Sequence, residues 1–289
     1  MRQRIAVVFD LFKLRIGLVI GFTALAGLAV TPGAMPAAWR VALLALAVVV
    51  SSAAAGAFNQ YVERDIDARM ARTRVRPFVT GRLKASPAWL ALIALMCLGS
   101  AVVAAVATNA LAALYTFLGA FVYGVVYTVW LKRRTWLNIV IGGLAGSFAV
   151  LAGAAAVAPE HLDAVPLWLA IVLFLWTPPH FWSLAIAYRK DYEAAGVPML
   201  PVVVGDARAA RAIFGSAVLL VLASMVPAFY GLSWLYLVTA IGGGAYFLVM
   251  SAKLVREPCR RTAMANFHAS LAQLTLLLIA AIVDATLLS

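Results

Sequence analysis

Charge is what this sequence has least of. Charged residues make up 12% of its 289 residues, about half the share found in soluble domains. Acids are the scarcer sign, with 11 Asp and Glu against 23 Lys and Arg. Hydrophobic residues reach 65% and mean hydropathy is +0.99, which excludes an ordinary soluble domain and points to the bilayer. Cysteine is almost missing: Cys97 falls in an apolar run and Cys259 in a polar connection. With no CxxC or Cys/His spacing, neither a disulfide framework nor a zinc site is expected. There is no low-complexity linker. The first apolar run is too long for a signal-peptide core and no transit-like segment precedes it, so a bacterial-type plasma (inner) membrane protein is expected.

What is present in quantity is apolar sequence in lengths of about 20 residues, the span of a membrane helix. Nine such runs lie at 16–32, 40–58, 88–107, 110–131, 137–157, 166–187, 211–230, 233–252 and 268–288. They are too long and too continuous for barrel strands, so an all-α polytopic membrane protein with nine transmembrane helices is predicted. The whole chain, 1–289, is read as one transmembrane domain.

A net charge of +12 suggests an acidic partner such as nucleic acid, but the positions exclude it. Nine spans put the connections alternately on two sides. Of the 23 Lys and Arg, Arg40 alone falls on one side; the rest crowd the N-terminus and segments 59–87, 132–136, 188–210 and 253–267. That is the positive-inside pattern, so a cytoplasmic N-terminus is expected. Two of the cytoplasmic loops, about 59–87 and 188–210, are longer and chemically richer than the others.

The first of them opens with NQYVERDIDARMARTRVRP, from Asn59 to Pro77. If the second helix runs on through Met70, then Asn59, Glu63, Asp67 and Met70 share one face. Asp65 falls opposite, where an i,i+4 pair with Arg69 is its plain role. Glu63 and Asp67 are like charges one turn apart, unfavourable in a helix unless a cation lies between them. Two carboxylates and an amide oxygen suit Mg2+, which completes its shell with water and substrate phosphate. The helix is expected to end near Arg76, before Pro77. Arg72, Arg74 and Arg76 crowd its exit, either as topology anchors or as guanidinium ligands for an anion.

Further cations, Lys132, Arg133 and Arg134, close the fourth span in YTVWLKRRTWLN. They are ordinary boundary markers, and also the groups to take the remaining oxygens of a diphosphate. The other unusual stretch is LWTPPHFWSLAIAYRKDYEAAGVPMLP. Pro178 and Pro179 are expected to break or kink the sixth span. His180, Leu184, Tyr188 and Asp191 follow at helical spacing, so Asp191 is expected to share a cavity with His180. Alternatively Asp191 partners Lys190 or Arg189. The Gly-rich fifth span is not a phosphate loop, since small residues within a span serve close helix packing; the same holds for Gly242, Gly243 and Gly244.

Asn59-xxx-Glu63-x-Asp65-x-Asp67-xx-Met70-x-Arg72-Thr73-xx-Arg76-Pro77 resembles the first polar motif of UbiA-type intramembrane prenyltransferases. YTVWLKRRTWLNIVIGG, WTPPHFWSLAIAYRKDY and AGVPMLPVV are similar to the protohaem IX farnesyltransferase (haem O synthase) branch in particular. The likeness runs from about Phe12 into the last helix. It implies a nine-helix bundle around a central cavity that opens to lipid. It also implies farnesyl diphosphate and haem B as substrates, and haem O as product, feeding haem-copper terminal oxidases directly or through haem A. A haem A synthase or oxidase assembly factor is then an expected partner.

On this resemblance Glu63, Asp67, Asn59 and Asp191 are the expected Mg2+ ligands. Glu63, Asp67, Asp191 and Lys132 are the expected catalytic groups. Asn59, Arg72, Arg76, Arg133, His180, Tyr127, Tyr188 and Lys190 are expected to bind substrate, with Tyr123, Phe181 and Trp182 as further lining of a dry space for the allylic cation. His180 either meets the haem iron or hydrogen-bonds diphosphate. The sequence departs from the wider pattern in three places: Glu63 stands where Asp is common, Asp191 is the main carboxylate of the second motif, and SFAVLAG lacks a proline pair. Two other functions remain open on the residues alone. One is a UbiA-type polyprenyltransferase acting on a quinone precursor or chlorin; the other is a transporter for a polar solute or cation.

Overall fold

The computed structural model describes residues 2–287. Among them there are helices and no strand, as long apolar runs require: in hydrocarbon each segment has to satisfy its own backbone. A helix α1 (Arg2–Leu11) leads into α2 (Leu14–Ala29), α3 (Ala38–Val62), the short α4 (Arg64–Arg69), α5 (Pro87–Ala107) and α6 (Ala110–Phe121). Then come α7 (Asn138–Gly142), α8 (Leu144–Val157), α9 (Ala164–Ala187), α10 (Arg189–Ala194), α11 (Leu200–Val204), α12 (Asp206–Met225), α13 (Trp234–Arg256) and α14 (Arg260–Leu287).

Eight units are long and apolar enough to cross a membrane: α3, α5, Ala110–Leu131, Asn138–Val157, α9, Asp206–Tyr230, α13 and α14. The first predicted span is the exception. Its helix α2 has 16 residues, a rise of about 24 Å against a hydrocarbon core of about 30 Å. Two predicted spans begin earlier than expected. The seventh starts at Asp206 and the ninth at Arg260, so His268 lies two turns inside its helix. Residue 288, at the end of the ninth span, lies outside the described residues.

The spans close a ring. Neighbours touch in the order α2, α3, α5, α6, α8, α9, α12, α13, α14 and back to α2. Contacts of α2 with α8 and of α9 with α14 pinch that ring into two lobes. The α2–α8 seam is the closest, for a reason in the sequence. A Cβ added at Gly153 would overlap the Ala24 carbonyl oxygen, and one at Gly27 that of Val150. Bare glycine lets the two backbones meet, the usual device where lipid leaves no hydrophobic drive between helices.

Three helices are irregular. From Val122 to Leu131 the fourth span is a π-helix, where straight α-helix was predicted; Lys132 N–H bonds to Tyr127 O at 2.9 Å, five residues back. The fifth span is interrupted at Gly143, between α7 and α8. Pro178 and Pro179 do not break the sixth span, because α9 runs through both. The Phe174 carbonyl, which loses its helical donor to Pro178, faces Gly143, where a Cβ would come within 3.2 Å.

Gly153→Val is therefore expected to destabilise the detergent-solubilised protein by about 1–3 kcal/mol or more. Gly99→Ala, where nothing lies within 4 Å of the added carbon, is expected to leave the thermal midpoint unchanged. Equal midpoints for the two variants would remove the α2–α8 seam as a stability determinant.

Candidate active site

The end of α3 supplies the first polar residues. Its hydrogen bonding pauses at Glu63 (φ −89, ψ 14), but Glu63 N–H still donates to Asn59 O and Asp67 N–H to Glu63 O. The face therefore carries across the break into α4. Asn59, Glu63 and Asp67 are 1–2% exposed, while the Asp65 side chain is 54% exposed on the other side. The sequence placed those faces correctly. It placed the helix end wrongly: α4 stops at Arg69 and Met70 is extended, so Arg72–Arg76 occupy turns, and Arg76 is free to fold back.

Each buried acid meets a cation from elsewhere. Arg76 Nη1 donates to both Asp67 oxygens, at 2.8 and 2.7 Å. Lys132 Nζ lies 2.5 Å from Glu63 Oε2. The π-helix turn between Tyr127 and Lys132 adds a residue to the register just before this lysine, at the level of Glu63. Asp65 pairs with Arg133 through two bonds of 2.8 Å, not with Arg69. That exposed guanidinium holds the Asp65 carboxyl below its ordinary range. Arg133 is thus a surface partner, while Lys132 belongs to the buried cluster.

Sequence reasoning missed Lys13. It has a left-handed backbone (φ 47) between α1 and α2, a conformation that costs a non-glycine residue about 1–2 kcal/mol. This turns its side chain inward, past bare Gly56. Its Nζ donates to Asn59 Oδ1 at 2.7 Å and to Tyr123 Oη at 3.0 Å. Burial, with Arg76 and Lys132 nearby, pushes its pKa down to about 7. Tyr123 and Tyr127 stack at 5.5 Å, with Lys13 over the first ring and Lys132 over the second. Tyr127 has room because a Cβ on Gly142 would approach its ring within 3.0 Å. A lysine beside Arg15 at the start of an apolar run looks like a topology marker; only its reach to Asn59 on α3 marks it as part of the cluster.

The second motif forms a separate surface. An open groove of about 760 Å³ is lined by Arg72, Tyr188, Lys190, Asp191, Asp206 and Arg260, among others. Asp191 Oδ2 accepts the Arg72 backbone N–H at 3.2 Å. The Arg72 and Arg260 guanidinium groups lie 5.4 and 5.5 Å from the Tyr188 ring. Arg189 pairs with Glu193 and Asp206, so neither it nor Lys190 is the Asp191 partner. Neither Glu63 nor Asp67 lines the groove. Asp191 lines this groove and His180 does not; α9 ends at Ala187, although Tyr188 N–H still donates to Leu184 O and Tyr192 N–H to Tyr188 O. His180 is 5% exposed and faces α14. Phe181 meets it edge-on, while Trp182 packs on Trp136.

Among the described residues no three of His, Cys, Asp and Glu gather into a ready metal-binding group. The donor chemistry nevertheless fits a divalent ion that arrives with an anion. Glu63 Oε1 is buried without a hydrogen-bond partner, an acceptor that burial makes costly unless something fills it. Arg76 and Lys132, with Lys13 whose charge burial weakens, face two carboxylates. A bare divalent ion would be repelled there, whereas one accompanied by a phosphate is not.

The UbiA prenyltransferase family matches residues 20–277. The chain belongs to that family. A relative from Paramagnetospirillum magneticum named protoheme IX farnesyltransferase 2 is 57% identical over 285 residues, 98% of each chain. One from Thermus thermophilus named protoheme IX farnesyltransferase is 44% identical over 95% of this chain and 45% of its own length. The UbiA fold extends to solved structures of far lower identity. A digeranylgeranylglyceryl phosphate synthase superposes with TM-score 0.79 at 18% identity, covering 98% of this chain and 99% of that one. A UbiA homologue from Archaeoglobus fulgidus bound to DMAPP and Mg2+ gives 0.73 at 16%, covering 93% and 98%.

Removing one partner of the buried Glu63–Lys132 pair strands the other charge. Lys132→Met is expected to cost about 3–5 kcal/mol of stability, measured by thermal unfolding in detergent, and Glu63→Gln with Lys132→Met to recover most of it. If the double variant is as unstable as the single, the two side chains are not coupled.

Proposed function

We propose that this chain transfers the farnesyl group of farnesyl diphosphate to the 2-vinyl group of haem B, with addition of water, giving haem O and diphosphate. The observation that carries this is 57% identity over 98% of both chains to a protoheme IX farnesyltransferase. The buried, cation-rich cluster beside Glu63 and Asp67 supplies chemistry in keeping with it.

The carbon–oxygen bond of the allylic diphosphate breaks, and the electron pair leaves with diphosphate. The terminal carbon of the vinyl group attacks the farnesyl cation and a new carbon–carbon bond forms. The positive charge passes to the carbon beside the porphyrin ring, where water adds and releases a proton. Leaving-group departure is the step a protein accelerates with preorganised charge. Lys132, Arg76 and Lys13 are the groups for the diphosphate oxygens, because their pairing with Glu63, Asp67 and Asn59 is exchangeable for a stronger anion. Glu63, Asp67 and Asn59 would then be free to hold a divalent ion, with Mg2+ the fitting choice for hard oxygen donors. Such an ion neutralises developing charge on the departing diphosphate.

Tyr123 and Tyr127 present aromatic surface next to the cluster, suited to an allylic cation that early water would quench to an alcohol. Haem B carries two carboxylates, and the groove around Tyr188 offers Arg72, Lys190 and Arg260 as their cations. Asp191 fixes the Arg72 backbone there. The cytoplasmic face of a bacterial plasma membrane is the fitting location, given the one-sided basic residues. A haem A synthase or oxidase assembly factor is the fitting protein partner.

Membranes containing the protein, given haem B, farnesyl diphosphate and Mg2+, are expected to form a species of haem O mass. EDTA should abolish it, and Glu63→Gln should lower the rate by about 100-fold or more. A prenylated quinone precursor in place of any haem product would overturn the acceptor assignment. Lys13→Met is expected to raise the farnesyl diphosphate KM roughly 10–100-fold, the loss of a charged hydrogen bond. Arg133→Ala, on its exposed pair, should change it less than about threefold. A reversed order of effects would move the diphosphate from the buried cluster to the surface.

A further inference from the structure

His180 sits deep between α9 and α14, and the diphosphate chemistry makes no use of it. Its ring is sandwiched by Trp176, with centroids 4.0 Å apart, and Phe267, at 4.3 Å. Phe181 meets it edge-on at 5.0 Å. One ring nitrogen, Nδ1, lies 2.8 Å from Ser270 Oγ.

The serine decides which nitrogen carries the proton. Ser270 Oγ is also 2.7 Å from the Phe267 carbonyl oxygen. A carbonyl only accepts, so the hydroxyl proton points to Phe267. The serine oxygen then has lone pairs alone to offer the ring, and Nδ1 must donate. The reverse assignment would press two unprotonated oxygens together at hydrogen-bond distance. The ring also meets the Phe267 backbone carbonyl, which can only accept and so shares the Nδ1 proton; in the neutral ring Nε2 is left with its electron pair. Trp176 donates its Nε1–H to the Ser270 carbonyl at 2.8 Å, which locks α9 to α14 at this level. Trp176, Phe181 and Phe267 stay only half-buried, so flat apolar surface borders the ring.

A neutral histidine with Nδ1–H held by an acceptor and a bare Nε2 is the usual form of a metal-ligating imidazole. We propose that Nε2 of His180 is the axial ligand to the iron of the porphyrin substrate, and that Ser270 is the positioning residue that sets its tautomer. This rests on the haem-farnesylation reading above. The half-buried aromatics suit the faces of a macrocycle. Ile186 and Ala187, on the inner side of the cationic groove, are six and seven residues along α9, about 9–10 Å from His180. Iron held at His180 thus leaves the propionates within reach of Arg72, Lys190 and Arg260. The other two histidines are poorer ligands: His161 is 80% exposed beside Asp163, and His268 is exposed on α14. Ligation donates the Nε2 pair to iron without changing its oxidation state. Its use is to fix the rotation of the macrocycle, and so which vinyl group meets the farnesyl cation.

The test is resonance Raman and absorption spectroscopy of the purified protein with ferrous haem B. The wild type is expected to show an iron–histidine stretching band. His180→Ala should lose it and weaken haem binding by about 10–100-fold, and added imidazole should restore the band. Ser270→Ala should keep the band at a lower frequency, since the hydroxyl acceptor of Nδ1 is gone, and Ser270→Thr should keep the wild-type frequency. A wild-type complex without the band, or an unchanged band in His180→Ala, overturns the ligation. An unshifted band in Ser270→Ala overturns the positioning role, and decides the matter for Ser270 even if His180→Ala misfolds. Haem O formation is assayed on the same preparations. Product without a histidine band defeats the ligand and leaves the reaction standing; absence of any haem product in folded wild type defeats the reaction itself.

Discussion

The structure depends on charges being matched where water is excluded. In a bundle whose surface faces hydrocarbon, a carboxylate without a partner is very costly. Glu63 and Asp67 are both nearly inaccessible, and each has drawn in a cation from outside its own helix. Lys132 comes from the end of the fourth span, 69 residues on. Arg76 comes from a chain that reverses within nine residues. Lys13 reaches Asn59 from 46 residues before it. These contacts tie the start of α2, the end of α3, the following turns and the π-helix into one assembly. Much of the local irregularity follows from them: the pause at Glu63, the left-handed Lys13 and the turns that replace helix after Arg69.

Such pairs are poor instruments of stability, because desolvation offsets most of their attraction. A close-packed apolar end would serve the fold as well. What the cluster provides instead is an excess of positive charge over carboxylate, held before any substrate arrives. That is the electrostatic condition for catalysing the departure of an anion, since the dipoles need no reorganisation at the moment of reaction. The orphaned Glu63 oxygen belongs to the same logic: the cluster is not complete by itself.

The sequence made the spans legible, because hydrophobic length is a local property, and it made the polar face legible, because Asn59, Glu63 and Asp67 lie within one helical stretch. It failed wherever the partner was distant. Asp65 was given Arg69, four residues away, while Arg133 held it across 68. Lys13 was counted as topology because it stands among the basic residues of the N-terminus, and its partners Asn59 and Tyr123 are 46 and 110 residues away. Asp191 and His180 were joined by a wheel that assumed an unbroken helix, while the chain pauses at Tyr188 and Asp191 alone of the two lines the groove. Pro178 and Pro179 were expected to break or kink the sixth span, yet the helix continues through both while the freed carbonyl of Phe174 settles over a glycine. The pattern of one family motif carries the reaction type well, but the pairing of its charges is a property of the fold.

Two substrates of opposite character have to meet in the proposed reaction, one with a charged head and an apolar tail, the other a flat apolar ring with charged arms. The separation of the buried cluster from the Tyr188 groove answers that requirement. One polar site would set two anions in competition for the same cations. Under the proposed assignment, two sites at the same end of the bundle let each anionic group anchor independently and direct both apolar parts into the membrane-spanning interior. On that proposed assignment the second motif has its own reason to set cations beside the carboxylates of its groove, Asp191, Glu193 and Asp206, rather than to repeat the buried acidic face of the first. Asp191, tied to the Arg72 backbone, links the two: the loop that ends in Arg76 at one site begins with Arg72 at the other, so filling either site bears on the loop that shapes both.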